Sequence, residues 1–267
     1  MDAKLRGRTA LITGGSSGIG RGIARALAGE GVDIAIAGRN PEPEAVEELS
    51  ALGVRTLALT VDVSMENQVA DMVQRVITTF GHLDLYVNNA AGTWHQPITR
   101  LTTDSWLRTI NTNLSACLWA CRDVSRHMIA RRQGSILIVG STAQYNQAYG
   151  EAAYHMSKIG LRALKNTLAL ELAPYGIRVN QLVPGHFPTK LTASLPENRA
   201  EILQHEIPLR RFGHPDECGA AAVLLLSDAL SPYTTGTDVF VDGGLHLRPL
   251  PLYSDTELMQ MNAPEPL

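Results

Sequence analysis

Short β-branched runs alternate with longer stretches of helical period along nearly the whole chain, and this alternation constrains the fold more than any single motif. Apolar runs of strand length lie at 9–13, 32–37, 55–61, 83–88, 134–140, 177–183 and 237–241. Between them, apolar residues recur at helical spacing over 18–29, 41–52, 66–80, 103–131, 151–175 and 215–227. Strands separated by helices pair in parallel, because each parallel connection needs a crossover long enough to hold a helix. The expectation is an α/β fold, a doubly wound parallel sheet of about seven strands with helices on both faces. No Pro/Ser-rich linker divides the 267 residues, so one domain is expected, with its core over 7–244 and a C-terminal extension over 245–267.

Ligands of such sheets bind beyond the carboxyl ends of the strands, so the residues that follow each strand are the candidate binding residues. After the first come Gly14, Gly15, Ser16, Ser17, Gly18, Ile19 and Gly20, a glycine-rich turn opening a helix. Its bare amides and the helix N-terminus suit a diphosphate, although Gly-x3-Gly-x-Gly is not the Gly-x-Gly-x-x-Gly of the general dinucleotide fingerprint. After the second strand stand Gly38 and Arg39, where many dinucleotide sites carry an acidic residue for the ribose. An arginine there suits a 2′-phosphate and favours NADP(H), with NAD(H) as the alternative. Asp62 and Val63 follow the third strand, and Asp62 can either meet an adenine amino group or cap the next helix. Asn89, Ala90, Ala91 and Gly92 follow the fourth, Ser141 the fifth, and Pro184 with Gly185 the sixth.

Tyr154 and Lys158 are four residues apart on a predicted helix, one turn, which sets their Cβ atoms about 5–6 Å apart on one face. A phenol is a poor acid or base at neutral pH, and a fixed cation beside it makes proton exchange with a substrate oxygen easier.

Composition removes several function classes. A formal net charge of −3 with interspersed signs and only two short basic pairs argues against a nucleic-acid surface. The charged N-terminus lacks the apolar core of a signal peptide, and no apolar run approaches the length that spans a bilayer, so a cytoplasmic protein without membrane partners is expected. Cys117, Cys121 and Cys218 have neither disulfide-framework nor zinc spacing, and no metal is expected.

Taken in order, Thr13-Gly14-x3-Gly18-x-Gly20, Asn88-Asn89-Ala90-Ala91, Asn113, Ser141, Tyr154-x3-Lys158 and Pro184-Gly185 make the chain resemble the short-chain dehydrogenase/reductases from about Gly7 to about Gly244. The oxoacyl reductase and sugar or alcohol dehydrogenase branch is the most similar. The resemblance implies a Rossmann-type fold and an NAD(P)(H)-dependent oxidoreductase that moves hydride reversibly between the nicotinamide and a ketone or secondary alcohol. It implies that Tyr154 is the general acid and base, that Lys158 lowers its pKa and holds the nicotinamide ribose, and that Ser141 orients the carbonyl. Asn113 would hold a water that links Lys158 to solvent. Thr189, with Phe187 before it, matches the residue that meets the nicotinamide carboxamide. Two positions depart from the pattern. Ser17 stands where some NADP-using relatives carry a basic residue, and Ala91 replaces a glycine, as in enoyl- and dienoyl-reductase relatives that lack a matching tyrosine.

Substrate choice is expected from loops over the nicotinamide. The candidates are Trp94 and His95 with Thr93, then Gln144 and Tyr149 with Tyr145, and His186 at the start of a lid-like segment, 186–212. Relatives of this kind assemble as homotetramers through the helices that hold Asn113 and Tyr154, so a homo-oligomer is expected. The leucines and Tyr253 of the extension predict packing on the subunit or on a neighbour.

Overall fold

The computed structural model describes residues 1–188 and 197–247, with the backbone alone for 197–200. Seven strands form one sheet: β1 Thr9–Thr13, β2 Asp33–Gly38, β3 Thr56–Thr60, β4 Leu85–Asn88, β5 Gly134–Val139, β6 Ile177–Pro184 and β7 Asp238–Val241. Their order is β3-β2-β1-β4-β5-β6-β7, and every pairing is parallel. The chain winds outward from β1 to β3, then returns to β1's other side to begin β4. The crevice at this reversal, between the carboxyl ends of β1 and β4, is where an open α/β sheet binds ligands.

The helices are α1 Gly18–Gly29, α2 Pro43–Ala51, α3 Glu66–Phe80, α4 Thr103–Ile110, α5 Ala116–Arg131, α6 Ala152–Leu172, α7 Glu197–Glu206 and α8 Glu217–Leu226. Alternate residues of the strands feed two cores. Leu11, Tyr86, Ile136 and Val179 pack against α3, α5 and α6, while Ile12, Val87, Leu137 and Leu182 pack against α1, α2 and α8. A strand buried on both faces reads as a continuous apolar run, which is why the strands are legible from sequence. Asp84, buried at the amino ends of the strands, accepts from the Thr9 amide at 2.9 Å and from Arg131 Nη1 at 2.9 Å. This tie holds β1 level with β4, in the register Ile12 to Val87, and so brings Thr13 beside Asn88 and Asn89 at the opposite edge.

Two predicted helices differ from expectation. The continuous helix over 103–131 is divided by a π-helical turn, Asn111–Ser115, between α4 and α5. Such a turn lets one side chain leave the regular helical face, here Asn113. The predicted 151–175 helix is α6 followed by a 3-10 turn, Ala173–Tyr175, which Gly176 ends at φ +76°. The segment 186–212 contains the helix α7. At the start of the extension, Leu245–Leu247 forms a 3-10 turn whose Leu245 carbonyl accepts from Asn146 Nδ2 at 3.2 Å. His246 stacks on Phe240 with ring centroids 4.0 Å apart. The remainder of the extension, including Tyr253, lies outside the described residues. Among the described residues no helix is long and apolar enough to cross a membrane.

Candidate active site

The turn after β1 is shaped by packing as much as by backbone freedom. Gly14 has φ +66° and Gly18 φ +52°, the left-handed region that favours glycine. Asn89 clamps the turn from β4, its Nδ2 donating to the carbonyls of Thr13 at 3.0 Å and Gly14 at 3.1 Å. In return Thr13 Oγ1 accepts from the amides of Asn89 and Ala90 at 3.0 and 3.1 Å. A Cβ on Gly14 would lie 2.8 Å from Asn89 Nδ2, and one on Gly20 would collide with the Gly14 carbonyl. Asn89 therefore acts on the cradle through its backbone clamp. Ser17 precedes α1 without capping it, and the first turn carries no acidic residue, so the amides there are open to an anion. These residues fit a dinucleotide diphosphate.

Arg39, at the end of β2, is exposed and makes no hydrogen bond or ion pair with a described residue. Asp62 accepts from Ser64 N at 3.0 Å and from Ser64 Oγ at 2.7 Å. Those bonds hold its carboxyl below the usual range against the opposing effect of burial, and the charges of Arg39 and Arg108 add to them. The helix-cap alternative for Asp62 does not hold, because α3 is preceded by Met65 and has no side-chain cap. Val63 turns its side chain into the core, leaving only its backbone for the cleft.

Ser141, Tyr154 and Lys158 converge at the carboxyl end of β5. Ser141 Oγ accepts from Ala143 N at 3.1 Å, which fixes its rotamer. Tyr154, on the first turn of α6, is pushed up to about 12, chiefly by burial and further by the Glu151 charge, while a side-chain bond with Ser141 opposes the rise. Lys158 is not among the groups that shift the phenol in the cofactor-free protein. Lys158 is buried, its Nζ 5.7 Å from the Tyr154 ring centroid and 3.1 Å from the Val139 carbonyl to which it donates. Burial pulls it down to about 8. Asn113 is also buried, and its amide is committed: Oδ1 accepts from Gly92 N at 2.8 Å, and Nδ2 donates to Gly92 O at 2.9 Å and Ser157 Oγ at 3.1 Å. Both donors are spent on a clamp that ties the strand-β4 loop to α6, so the structure gives this side chain a positioning place in the site.

The substrate candidates separate. Trp94 lies on Gly92, under the Arg108 guanidinium at 5.3 Å. His95 is exposed and its Nδ1 is 3.4 Å from Glu151 Oε1. Gln144 does not reach the cleft, since it is buried and donates to the Lys158 carbonyl at 2.6 Å. Tyr149 is fully exposed. Tyr145 turns towards β7, donating to Asp238 Oδ2 at 2.8 Å. His186 packs edge-on against Phe212, and burial lowers its pKa. The Phe187 ring is buried against Gly213, Pro184 ends β6, and a Cβ on Gly185 would lie 2.7 Å from Asp242 Cα. Thr189 lies outside the described residues. Sequence reasoning missed Glu151, His155 and Ser157. Glu151 was within reach, because three residues before Tyr154 is the same helical face.

The arrangement is a dinucleotide cradle that leads to a phenol, a hydroxyl and a lysine at one strand end. A family description, enoyl-(acyl carrier protein) reductase, matches residues 14–246. The chain belongs to the short-chain dehydrogenase/reductase family. A 3-oxoacyl-acyl-carrier-protein reductase of Chlamydia pneumoniae is 39% identical over 248 residues, covering 92% of this chain and 99% of the relative. The structure of a protein described as a short-chain alcohol dehydrogenase from Sinorhizobium meliloti superposes with TM-score 0.90 at 33% identity, covering 93% of this chain and 100% of the other. One described as an NAD(P)-dependent gluconate 5-dehydrogenase from Beutenbergia cavernae, with bound NADP, gives TM-score 0.87 at 31% identity, covering 92% and 99%. As a short-chain dehydrogenase/reductase, this chain is an NAD(P)(H)-dependent oxidoreductase of the carbonyl–alcohol type.

Proposed function

We propose that this short-chain dehydrogenase/reductase prefers NADP(H) and works through Tyr154 on a ketone or secondary alcohol. The observation that carries the reading is the convergence of Ser141, Tyr154 and Lys158 at the end of β5, beside a glycine turn whose helix amides are uncapped. Bound nicotinamide supplies or takes the hydride. Tyr154 gives its phenol proton to the carbonyl oxygen during reduction and, as the phenolate, takes the hydroxyl proton during oxidation. Ser141 donates to the same oxygen and stabilises the charge that develops there. Lys158 binds the nicotinamide ribose hydroxyls, and Asn113 holds Gly92 and Ser157 so that the loop and the helix keep their spacing. The presence of Tyr154 favours carbonyl over enoyl chemistry, in spite of Ala91.

The amides of Gly14 to Gly20 would take the diphosphate, Asp62 and the Val63 backbone the adenine, and Ala90 to Gly92 the central ribose. Pro184, Gly185 and Thr189 would border the nicotinamide. Arg39, exposed and without a hydrogen bond or ion pair to a described residue, would take the 2′-phosphate. The NADP bound to the Beutenbergia protein supports that preference, while an NAD+-bound xylitol dehydrogenase of the same fold keeps NAD as the rival. Exposed Leu107, Leu118, Met156 and Ile159 on α4, α5 and α6 support assembly through those helices, as a homotetramer.

The test pairs two variants. Tyr154→Phe abolishes turnover with either cofactor while dissociation constants stay within about threefold. Arg39→Ala weakens NADP(H) by about tenfold or more, the value of a lost charged hydrogen bond, and leaves NAD(H) unchanged. Full activity of the first variant, or equal losses of both cofactors in the second, would overturn the respective assignment.

A further inference from the structure

Glu151 immediately precedes α6, one helical turn before Tyr154, and its charge acts on the phenol. Its side chain is only 16% exposed, yet no hydrogen bond from a described residue reaches either carboxylate oxygen. Two imidazoles approach it, His95 Nδ1 at 3.4 Å and His155 Nε2 at 3.6 Å. His155 cannot be the donor. Its Nδ1 faces the Ala143 carbonyl at 2.8 Å and its Nε2 accepts the Ala148 amide at 2.8 Å, so the proton sits on Nδ1. The same bond occupies the Nε2 lone pair, which removes it as a metal ligand. His95 is more than half exposed, and its contact is longer than a charge-assisted hydrogen bond. A mostly enclosed carboxylate without a strong donor costs free energy, and a donor brought by a ligand would offset that cost.

The loop packed beside Glu151 also encloses polar atoms without partners. Gln96 N donates to the Gly150 carbonyl at 2.8 Å, which laces the loop of residues 93–96 to the residue before Glu151. Thr93 Oγ1 and Gln96 Oε1 are enclosed there without hydrogen-bond partners among the described residues. The one large apolar side chain of the loop, Trp94, packs on Gly92. Glu151 thus presents an acceptor without a strong donor beside the catalytic phenol, where an acyl chain would need an apolar wall.

We propose that Glu151 is a specificity residue that accepts a hydrogen bond from a hydroxyl substituent of the substrate, so that the enzyme acts on neutral polyhydroxylated ketones and alcohols in preference to acyl thioesters. The inference rests on the carbonyl–alcohol reading of Tyr154 and names the substrate class for that site. The carboxylate also disfavours substrates whose anionic group would fall beside it, by like-charge repulsion.

Oxidation of erythritol, xylitol, sorbitol and cyclohexanol, and reduction of cyclohexanone and an acetoacetyl thioester of N-acetylcysteamine, are measured with both cofactors. The panel is run for the native enzyme, Glu151→Leu and Glu151→Gln. The native enzyme turns over polyols with higher kcat/KM than the other substrates. Glu151→Leu raises KM for the polyols by about tenfold or more, the equivalent of a lost charged hydrogen bond, while KM for cyclohexanol changes by less than about twofold and any change in phenol acidity enters kcat for both. Glu151→Gln, which keeps an acceptor oxygen, falls between. A cofactor fluorescence titration reports folding, and if the leucine variant fails it, the glutamine variant carries the comparison. A native preference for the thioester, or equal KM changes on polyol and cyclohexanol, overturns the proposal. Turnover of cyclohexanol without any polyol defeats this inference alone. Inactivity on every substrate defeats the carbonyl–alcohol reading beneath it.

Discussion

Replacing Lys158 with methionine should stabilise the cofactor-free protein at neutral pH while removing its activity. The ammonium is buried and its pKa is pulled from the ordinary 10.5 to about 8. At 1.36 kcal/mol per unit, the charged form costs the folded state on the order of 3 kcal/mol. The sign follows from proton counting: between about 8 and 10.5 the unfolded chain holds more protons, so stability rises with pH in that window, and the cost is full below it. Methionine fills a similar volume without the charge but forfeits the bond to the Val139 carbonyl, a loss of about 1–2 kcal/mol. The net gain at pH 7 is about 1–2 kcal/mol, equivalent to a rise in Tm of roughly 2–8 °C for a domain of this size. Between pH 7 and pH 9.5 the native protein recovers about 2 kcal/mol relative to the variant. Urea unfolding of both proteins at the two pH values reads the difference directly. A variant less stable at pH 7, or a difference that does not change with pH, would refute a buried, disfavoured ammonium.

The phenol of Tyr154 should stay protonated well into the alkaline range in the free protein. A near-ultraviolet difference titration of the native protein against Tyr154→Phe should show no ionisation below about pH 10.5, since burial lifts the group to about 12. An ionisation near neutrality would mean that Lys158 governs the phenol after all. Gly20→Ala forces a Cβ into the Gly14 carbonyl, and the strain should cost about 1–3 kcal/mol. Weaker binding of both dinucleotides by calorimetry, with a lowered Tm, is expected. Unchanged affinity would show that the turn has room that the packing denies.

Much of the site was legible because its parts sit at strand ends, and strand ends are local. Gly14 to Gly20, Arg39, Asn89 and Ser141 each follow an apolar run, and a sheet buried on both faces makes such runs conspicuous. The shared face of Tyr154 and Lys158 was legible through helical periodicity, and their roles through the family resemblance. Gln144 also follows β5 closely, but which way a loop side chain turns depends on long-range neighbours, here the Lys158 carbonyl to which it donates. The Trp94 ring likewise rests on Gly92 beneath the Arg108 guanidinium of α4, a contact that no local pattern encodes. Asn113 was placed on the correct helix, but the π turn that aims it leaves no pattern in periodicity.

By itself, then, the sequence determined the alternation that makes a parallel sheet, the crevice at β1 and β4, and the turn-spaced phenol and lysine, because each depends on neighbours a few residues away. Only the tertiary structure decided how protons are held there. Burial of Lys158 under β5 and of Tyr154 beside Glu151 sets their pKa values against the simple reading of the pair. The tautomer of His155, fixed by Ala143 and Ala148, leaves Glu151 without a donor. Desolvation and hydrogen-bond competition depend on everything packed around a group, and no spacing along the chain encodes them.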